Sequence, residues 1–529
     1  MSTTVSTISA QTARQWLNDA DEIAFLDVRE AGQYGEGHPF FAVNAPYSQL
    51  EVIAPRLVPR QSTRIVLLDA NGSVAERASR RLQAIGYGNL HILSGGATGW
   101  SAAGYTLFKG VNLPSKTFGE LVEHAFGTPH ISASELSDWQ RSSKRFVLLD
   151  GRTPEEHRKM SIPGSVSAPN GELPRHLHDL ASDPATPVVI HCAGRTRSIV
   201  GAEILRELGL PNPVFALENG TQGWALAGLT LVHGDNETRQ TPQKAHAQEH
   251  EAAARFASNA GVQHLSAHEA QLWIDDATRT TYLLDVRGAK EFAAQTLPGA
   301  LHVPGGQLLQ ATDQTLGTRK SRVILLDNDG VRAPVIAAWL TWLGWQAATV
   351  EGGINAPLHP RTKEQTPAVH GLHRVAAQAL AAWVREHSPQ LVDLQPSASY
   401  QQAHAIGAIW SIRPRLSQSG LNTERPVLVL APDEGTAQLA GIDLAEAGHR
   451  GIAWVKAQDW VDAGLPVERN TPLQDDERID YLFFVHDRHD GNLDAARQYL
   501  AWETGLVAQA APDELAVFRL PSRQASRTK

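Results

Sequence analysis

An internal repeat is the feature that most constrains how this chain can fold. Three segments each carry an apolar strand that ends in Asp, and a second apolar strand follows at a constant distance. We call the residue that follows this second strand the key position. It lies 42 residues beyond the Asp in all three copies: Asp69 after Asp27, Cys192 after Asp150, and Asp327 after Asp285. A looser fourth copy runs from Asp393 to Ala431, a spacing of 38 residues. Because helical stretches alternate with these strands, the repeat predicts parallel βαβ units.

The repeat predicts an α/β protein of four tandem domains, each an open parallel sheet flanked by helices, plus a short α/β C-terminal extension. The domains are expected over 1–112, 125–236, 261–358 and 370–470, and the extension over 476–529. Residues 237–260 have good helix composition with little apolar face and predict a helical linker. The domains are expected to form two pairs. In the extension, Tyr481 to Val485 predicts a strand, and residues 493–507 predict an amphipathic helix that packs on the fourth domain or forms a dimer contact.

The second copy holds Cys192, the only cysteine of the 529 residues. Its thiol is predicted to lie between the end of a strand and the start of a helix, where backbone N–H groups and the helix dipole favour an anion. Arg195 and Arg197 add positive charge, and such surroundings stabilise a thiolate nucleophile. The alternative is a small, buried and inert side chain.

Composition narrows the classes of function. A net charge of −9 argues against general nucleic-acid binding, and one cysteine excludes internal disulfides and thiol-pair zinc sites. The first residues do not resemble a signal peptide, and no run of 18 apolar residues occurs. A cytoplasmic protein with no membrane partner is therefore expected.

Four sequence features together resemble the rhodanese family of sulfurtransferases. They are Asp-x-Arg at strand ends, Ile162-Pro163-Gly164 in a loop, the segment Cys192-Ala193-Gly194-Arg195-Thr196-Arg197-Ser198, and a Gly-x-x-Gly-Trp turn. The resemblance implies that the Cys192 thiolate takes a sulfane sulfur as a persulfide, which a second nucleophile such as cyanide or a thiol discharges. It implies a transferase of the thiosulfate sulfurtransferase type, with no metal or organic cofactor.

The resemblance also suggests roles for the loop residues. Arg195 and Arg197 would hold a small anionic donor such as thiosulfate, with a low-molecular-weight persulfide as the second choice of donor. The backbone N–H groups of the loop, which includes Ala193, Gly194 and Thr196, would surround the transferred sulfur. Ser198 would either donate to the sulfur or cap the helix.

Residues around the loop are given supporting or structural roles. Asp150 and Arg152 are expected to form an ion pair that braces the loop. Glu156, His157 and Arg158 are expected on a solvated helical face, and His191 is expected to serve packing.

Asp69, Asp327 and Ala431 occupy the key position in the other copies and cannot form a persulfide, so those domains are predicted inactive in sulfur transfer. Two alternatives to a small-molecule sulfurtransferase remain open. One, which could also involve a homodimer, is a persulfide relay or scaffold that passes sulfur to a protein acceptor. The other is a cysteine phosphatase or arsenate reductase, although Arg197 gives Cys-x4-Arg where phosphatases need Cys-x5-Arg.

Overall fold

The computed structural model describes residues 5–522 apart from 143, 236, 243, 361–371, 489 and 490. The predicted domain limits at 1, 236 and 370 and the end of the extension lie outside the described residues. The predicted α/β class and tandem repeat are confirmed, because the described chain contains four five-stranded sheets with helices between their strands. Numbered within each sheet, the strand order is 1-5-4-2-3 in all four.

All strand pairs within these four sheets are parallel. The strands of the first sheet are Ser6–Ile8, Ile23–Asp27, Val43–Asn44, Arg64–Leu68 and Leu90–Leu93. Those of the second are His130–Ile131, Val147–Asp150, Val166–Ser167, Val188–His191 and Val214–Leu217. Those of the third are Gln263–Leu265, Thr281–Asp285, Leu301–His302, Arg322–Leu326 and Gln346–Val350. Those of the fourth are His373–Arg374, Gln390–Asp393, Ile409–Trp410, Val427–Ala431 and Ile452–Lys456.

Helices flank each sheet. The first domain has Ala10–Asn18, Ala31–Glu36, Leu50–Leu57, Ser73–Ala84 and Gly96–Ala102, and the second has Ala133–Arg141, Pro154–Lys159, Leu177–Ala181, Thr196–Glu207 and Gly220–Leu226. The third has Ala267–Asp275, Ala289–Ala294, Gly305–Gln310 and Arg332–Trp342, and the fourth has Leu380–His387, Ser397–Gln402, Glu434–Glu446 and Ala457–Asp462. Ser132 and Ser266 begin their helices as N-caps in capping boxes with Glu135 and Glu269.

Strand register explains the constant spacing in the sequence. Asp27, Asp150, Asp285 and Asp393 each pair with the residue just before the key position, namely Leu68, His191, Leu326 and Leu430. The fourth domain keeps this register although its connection is four residues shorter. The key position therefore lies at the same edge of every sheet, where the carboxyl ends of the strands form the ligand sites of open α/β folds.

The chain forms two compact units. One contains the first and fourth domains, where the buried Arg413 binds Glu51 at 2.6 and 2.8 Å. The other contains the second and third domains with the extension from Phe484 onward, and these two domains share one hydrophobic core.

The helix Ala247–Asn259 belongs to that shared core. It buries Ala252, Ala253 and Phe256, and the Phe256 ring lies 5.1 Å from the Trp342 ring. The expectation of a linker with little apolar face is corrected: small alanines leave room for one large aromatic side chain, which is enough to dock the helix. None of the helices described is long and apolar enough to cross a lipid bilayer.

The C-terminal extension differs from its prediction in two ways. Its described helices are Phe483–His486, Leu493–Thr504, Leu506–Gln509 and Pro512–Leu515, so the strand predicted from Tyr481 to Val485 is wrong. The helix Leu493–Thr504 packs on the second domain rather than the fourth, where it contacts the helices Gly220–Leu226 and Leu113–Phe126. Its aromatic residues account for this docking, because Tyr499 is fully buried and packs on Trp502.

Candidate active site

Cys192 follows the strand Val188–His191 directly, and the helix Thr196–Glu207 begins four residues later. Its strand lies inside the sheet, between Val147–Asp150 and Val214–Leu217. Only 2% of Cys192 is exposed. The thiol is therefore fixed at the carboxyl edge of the sheet and reached only through its own cavity.

A neighbouring turn holds the cysteine loop in place. The backbone N–H groups of Thr221 and Gln222 donate to the carbonyl oxygens of Cys192 and Ala193, at 2.8 and 3.1 Å. Gly220 has φ +52°, and a Cβ there would lie 2.2 Å from the Cys192 carbonyl oxygen. Only glycine fits this left-handed position against the loop.

Ser198 contacts the thiol directly. Its hydroxyl donates to Cys192 Sγ at 3.1 Å, and the side chain is buried. Ser198 is the third residue of its helix, whose N-cap position is Arg195. Of the two roles expected for Ser198, the structure shows the contact with sulfur.

Arg195 points toward the helix Leu113–Phe126. It donates to Glu120 at 2.7 and 2.9 Å and also contacts Glu123. Burial lowers the pKa of Arg195, but the hydrogen bonds and charge of Glu120 outweigh it and raise the pKa overall. Sequence reasoning missed this helix and its two carboxylates.

Arg197 is bound to Glu156. Its two terminal nitrogens donate to the two carboxylate oxygens, both at 2.7 Å. Burial raises the pKa of Glu156, yet the charge of Arg197 dominates and brings it to about 2. The expected solvated position of Glu156 holds only in part, because 36% of its side chain is exposed while its carboxylate binds the loop.

Asp150 and Arg152 form a buried ion pair, with donor–acceptor distances of 2.9, 3.1 and 2.6 Å. Arg152 also donates to the Met160 carbonyl oxygen, which ties the strand end to the next loop. His157 Nδ1 lies 3.0 Å from the Asp150 carboxylate, and the ring is buried. The expected solvated position of His157 is therefore wrong. His191 is buried as well, and burial lowers its pKa to about 4, which leaves it neutral at neutral pH.

The same pair recurs where there is no thiol. Arg29 binds Asp27, and Arg287 binds Asp285, each with a shortest distance of 2.5 or 2.6 Å. In the fourth domain Gln395 donates to Asp393 at 3.0 Å instead. Because the pair is present in domains without cysteine, it braces the fold and is not a contact specific to the reacting sulfur.

The first and third domains show which groups the loop directs at the key position. Asp69 accepts hydrogen bonds from the backbone N–H groups of Asn71, Gly72, Val74 and Ala75. Asp327 accepts them from Gly330, Val331 and Ala333, at 2.8 to 3.1 Å. The loop therefore directs its N–H groups at the key position, and here a carboxylate of the chain itself occupies them.

A cavity of about 100 Å³ opens beside Cys192. The loop residues Ala193, Gly194, Arg195, Thr196 and Arg197 line it, whereas Ser198 is not among its lining residues. Its other wall contains residues that sequence reasoning did not assign to the site, which include Lys116, Arg488, Tyr499 and Glu503. Three of these belong to the C-terminal extension.

Glu503 joins the extension to the loop. It accepts a hydrogen bond from the Thr196 hydroxyl at 2.8 Å and binds Lys116 Nζ at 3.0 Å. A Cβ on Gly194 would lie 3.1 Å from Glu503 Oε2, so this glycine lets the carboxylate approach the backbone. Burial alone would raise the pKa of Glu503, but Lys116 and Thr196 lower it, so the pair stays charged.

Comparison with known proteins agrees with this geometry. Residues 9–103, 132–227 and 266–357 each match the rhodanese-like domain, which together is more than half of the chain. The chain belongs to the rhodanese family. The fourth domain of this rhodanese-family chain shares the strand order of the other three but lies outside these matches.

A solved structure resembles nearly the whole length of the chain. The crystal structure of a thiosulfate sulfurtransferase from Pseudomonas aeruginosa is 36% identical, with 97% of this chain and 99% of that chain covered and a TM-score of 0.87. The rhodanese-like domain of a protein from Anabaena sp. is 24% identical over 20% of this chain and 78% of its own, with a TM-score of 0.18. No curated protein sequence matches the chain.

Proposed function

We propose that the protein is a sulfurtransferase that moves the outer sulfur of thiosulfate, by way of a Cys192 persulfide, to cyanide or a thiol. The observation that carries the proposal is the loop itself. All four domains place a residue at the same edge of their sheet. The first and third fill the loop N–H groups with their own aspartate, and the second alone offers a thiol. The likeness to a thiosulfate sulfurtransferase over 97% of the chain supports the choice of donor.

The reaction has two half-steps. In the first, the Cys192 thiolate attacks the outer sulfur of thiosulfate, a new S–S bond forms, and the old S–S bond breaks with its electron pair leaving on sulfite. In the second, cyanide attacks the outer persulfide sulfur and departs as thiocyanate, which regenerates the thiolate. A thiolate acceptor would leave as a persulfide by the same route. The loop N–H groups would stabilise the negative charge on sulfur throughout.

The surroundings of Cys192 favour a small donor over a protein partner. The thiol is almost fully buried, and its cavity is smaller than the 300 to 1,000 Å³, roughly, of ordinary ligand pockets. A relay to a protein acceptor therefore remains the second candidate. A phosphatase fits less well, because Arg197 already holds Glu156 through both terminal nitrogens.

The test is mass spectrometry and turnover of the whole protein. After thiosulfate treatment, we expect the wild type to gain the mass of one sulfur atom per chain and Cys192→Ser to gain none. Thiosulfate with cyanide should give thiocyanate, whereas p-nitrophenyl phosphate should not be hydrolysed. Sulfate, which has no sulfane sulfur, is the control treatment.

Two results would count against the proposal. Retention of the added sulfur in Cys192→Ser would exclude Cys192 as the carrier. A persulfide that forms but that neither cyanide nor small thiols discharge would favour the relay instead.

A further inference from the structure

The two loop arginines already have carboxylate partners. Arg195 binds Glu120 and Glu123, and Arg197 binds Glu156 in a two-point contact. An arginine paired with a carboxylate in this way uses its best-oriented N–H donors on that partner, and the partner neutralises most of its charge. Thiosulfate carries two negative charges, so the positive charge that receives it must come from another wall of the cavity.

Two further cations line the wall opposite the loop. Lys116 is paired with Glu503 at 3.0 Å, as the loop arginines are paired with their glutamates, so it offers hydrogen-bond donors rather than unbalanced charge. Arg488 lies with its guanidinium carbon 3.6 Å from the centre of the Tyr499 ring. Its Nε is buried and has no hydrogen-bond acceptor among the residues the structure describes.

Arg488 differs from the loop arginines in its charge balance. Among the described residues Arg488 forms no ion pair with a carboxylate, although Glu503 lines the same cavity. Stacking on Tyr499 fixes the plane of the guanidinium while leaving its edge able to donate. A planar, fork-like donor of this kind suits an anion with several oxygens.

We propose that Arg488, together with Lys116, binds the sulfonate oxygens of the sulfur donor, so that the C-terminal extension sets donor specificity. The inference rests on the proposed function and deepens it. With the oxygens on this wall, the outer sulfur faces Cys192 and the loop N–H groups. When the S–S bond breaks, sulfite keeps the electron pair, Arg488 helps to balance its charge, and Lys116 donates to its oxygens until it leaves.

The size of the cavity agrees with this donor. Its volume of about 100 Å³ is below the roughly 300 to 1,000 Å³ of ordinary ligand pockets, which favours a few-atom oxyanion over a donor with a bulky organic part.

The test compares variants of Arg488 in the full-length chain. Arg488→Gln should raise the KM for thiosulfate by about tenfold or more while kcat stays within about twofold, because a charge-assisted contact to the bound donor is lost. Inhibition by sulfate, which binds as an oxyanion but transfers no sulfur, should weaken by the same factor. Arg488→Lys should restore part of both losses.

Arg497→Gln is the matched control. This arginine lies on the same extension, is 58% exposed and pairs only with Asp494 among the contacts described for it, so its loss should leave KM and sulfate inhibition unchanged. Circular dichroism checks folding. If Arg488→Gln does not fold, Arg488→Met, which keeps the apolar contact with Tyr499, replaces it.

The outcomes separate the two proposals. Unchanged KM and sulfate inhibition in a folded Arg488 variant would overturn this inference, as would a fall in kcat alone. If the wild type takes up no sulfur from thiosulfate, it is the proposed function that fails, whatever the Arg488 variants do with sulfate.

Discussion

Among the described residues, the Cys192 thiol accepts one side-chain hydrogen bond, from the Ser198 hydroxyl at 3.1 Å. The nearby charged residues act on the thiol only indirectly, because Arg195 and Arg197 each form an ion pair with a glutamate. Burial lowers the pKa of Arg197, but the charge and hydrogen bonds of Glu156 outweigh burial and raise the pKa overall. The sulfur is therefore positioned by the hydroxyl that contacts it, and the two arginines contribute only through their electrostatic potential.

Ser198→Ala is expected to slow persulfide formation by about tenfold, because the thiolate loses one buried hydrogen-bond donor. Stopped-flow measurement of sulfur uptake from thiosulfate gives the rate, and thiolate absorbance against pH shows whether the ionised form has become less stable. Ser198→Thr, which keeps the hydroxyl, is the control. Equal rates for the alanine variant and the wild type would show that the hydroxyl serves packing only.

At the scale of elements, each of the first three domains fixes its key residue with a glycine turn. A Cβ at Gly96, Gly220 or Gly353 would lie 2.1 to 2.3 Å from the carbonyl oxygen of Asp69, Cys192 or Asp327. All three glycines have φ between +52 and +55°. The turn therefore sets the loop position in each domain, whether or not the loop carries a thiol.

This repetition gives a matched pair of variants. Gly220→Ala should lower kcat/KM by about a hundredfold or more, because the added methyl group displaces the Cys192 loop. Gly96→Ala meets the same clash beside Asp69, so it should lower the melting temperature by a similar amount and keep sulfur transfer. Steady-state kinetics and thermal unfolding of both variants decide the point. Full activity in Gly220→Ala would mean that the loop tolerates the shift.

At the scale of the whole molecule, only the second domain has both a thiol and a covered loop. The helix Leu113–Phe126 supplies Lys116 and Glu120, and the helix Leu493–Thr504 supplies Tyr499 and Glu503. The first-domain loop, by contrast, holds Ala70, Asn71, Gly72, Ser73 and Val74, with no cation among them. A cysteine by itself would therefore not make that loop equivalent.

Asp69→Cys in a Cys192→Ser background tests this directly. We expect sulfur uptake from thiosulfate to be at least about a hundredfold slower than in the wild type, because the donor-binding cations and their geometry are missing. Mass spectrometry over time gives the rate, with Cys192→Ser alone as the blank. Uptake as fast as in the wild type would show that the rhodanese loop needs nothing beyond a thiol.

The sequence by itself determined the repeat, the strand that ends at each Asp, and the single thiol at the edge of the second sheet. These features are local: the pair Asp150–Arg152 spans two residues, and the fixed spacing reflects strand register. Only the tertiary structure decided which domains share a unit and which side chains complete the cavity. Glu120 reaches Arg195 across 75 residues, and Glu503 reaches Thr196 across 307. Such contacts depend on how buried faces pack, and neither periodicity nor a short motif records that.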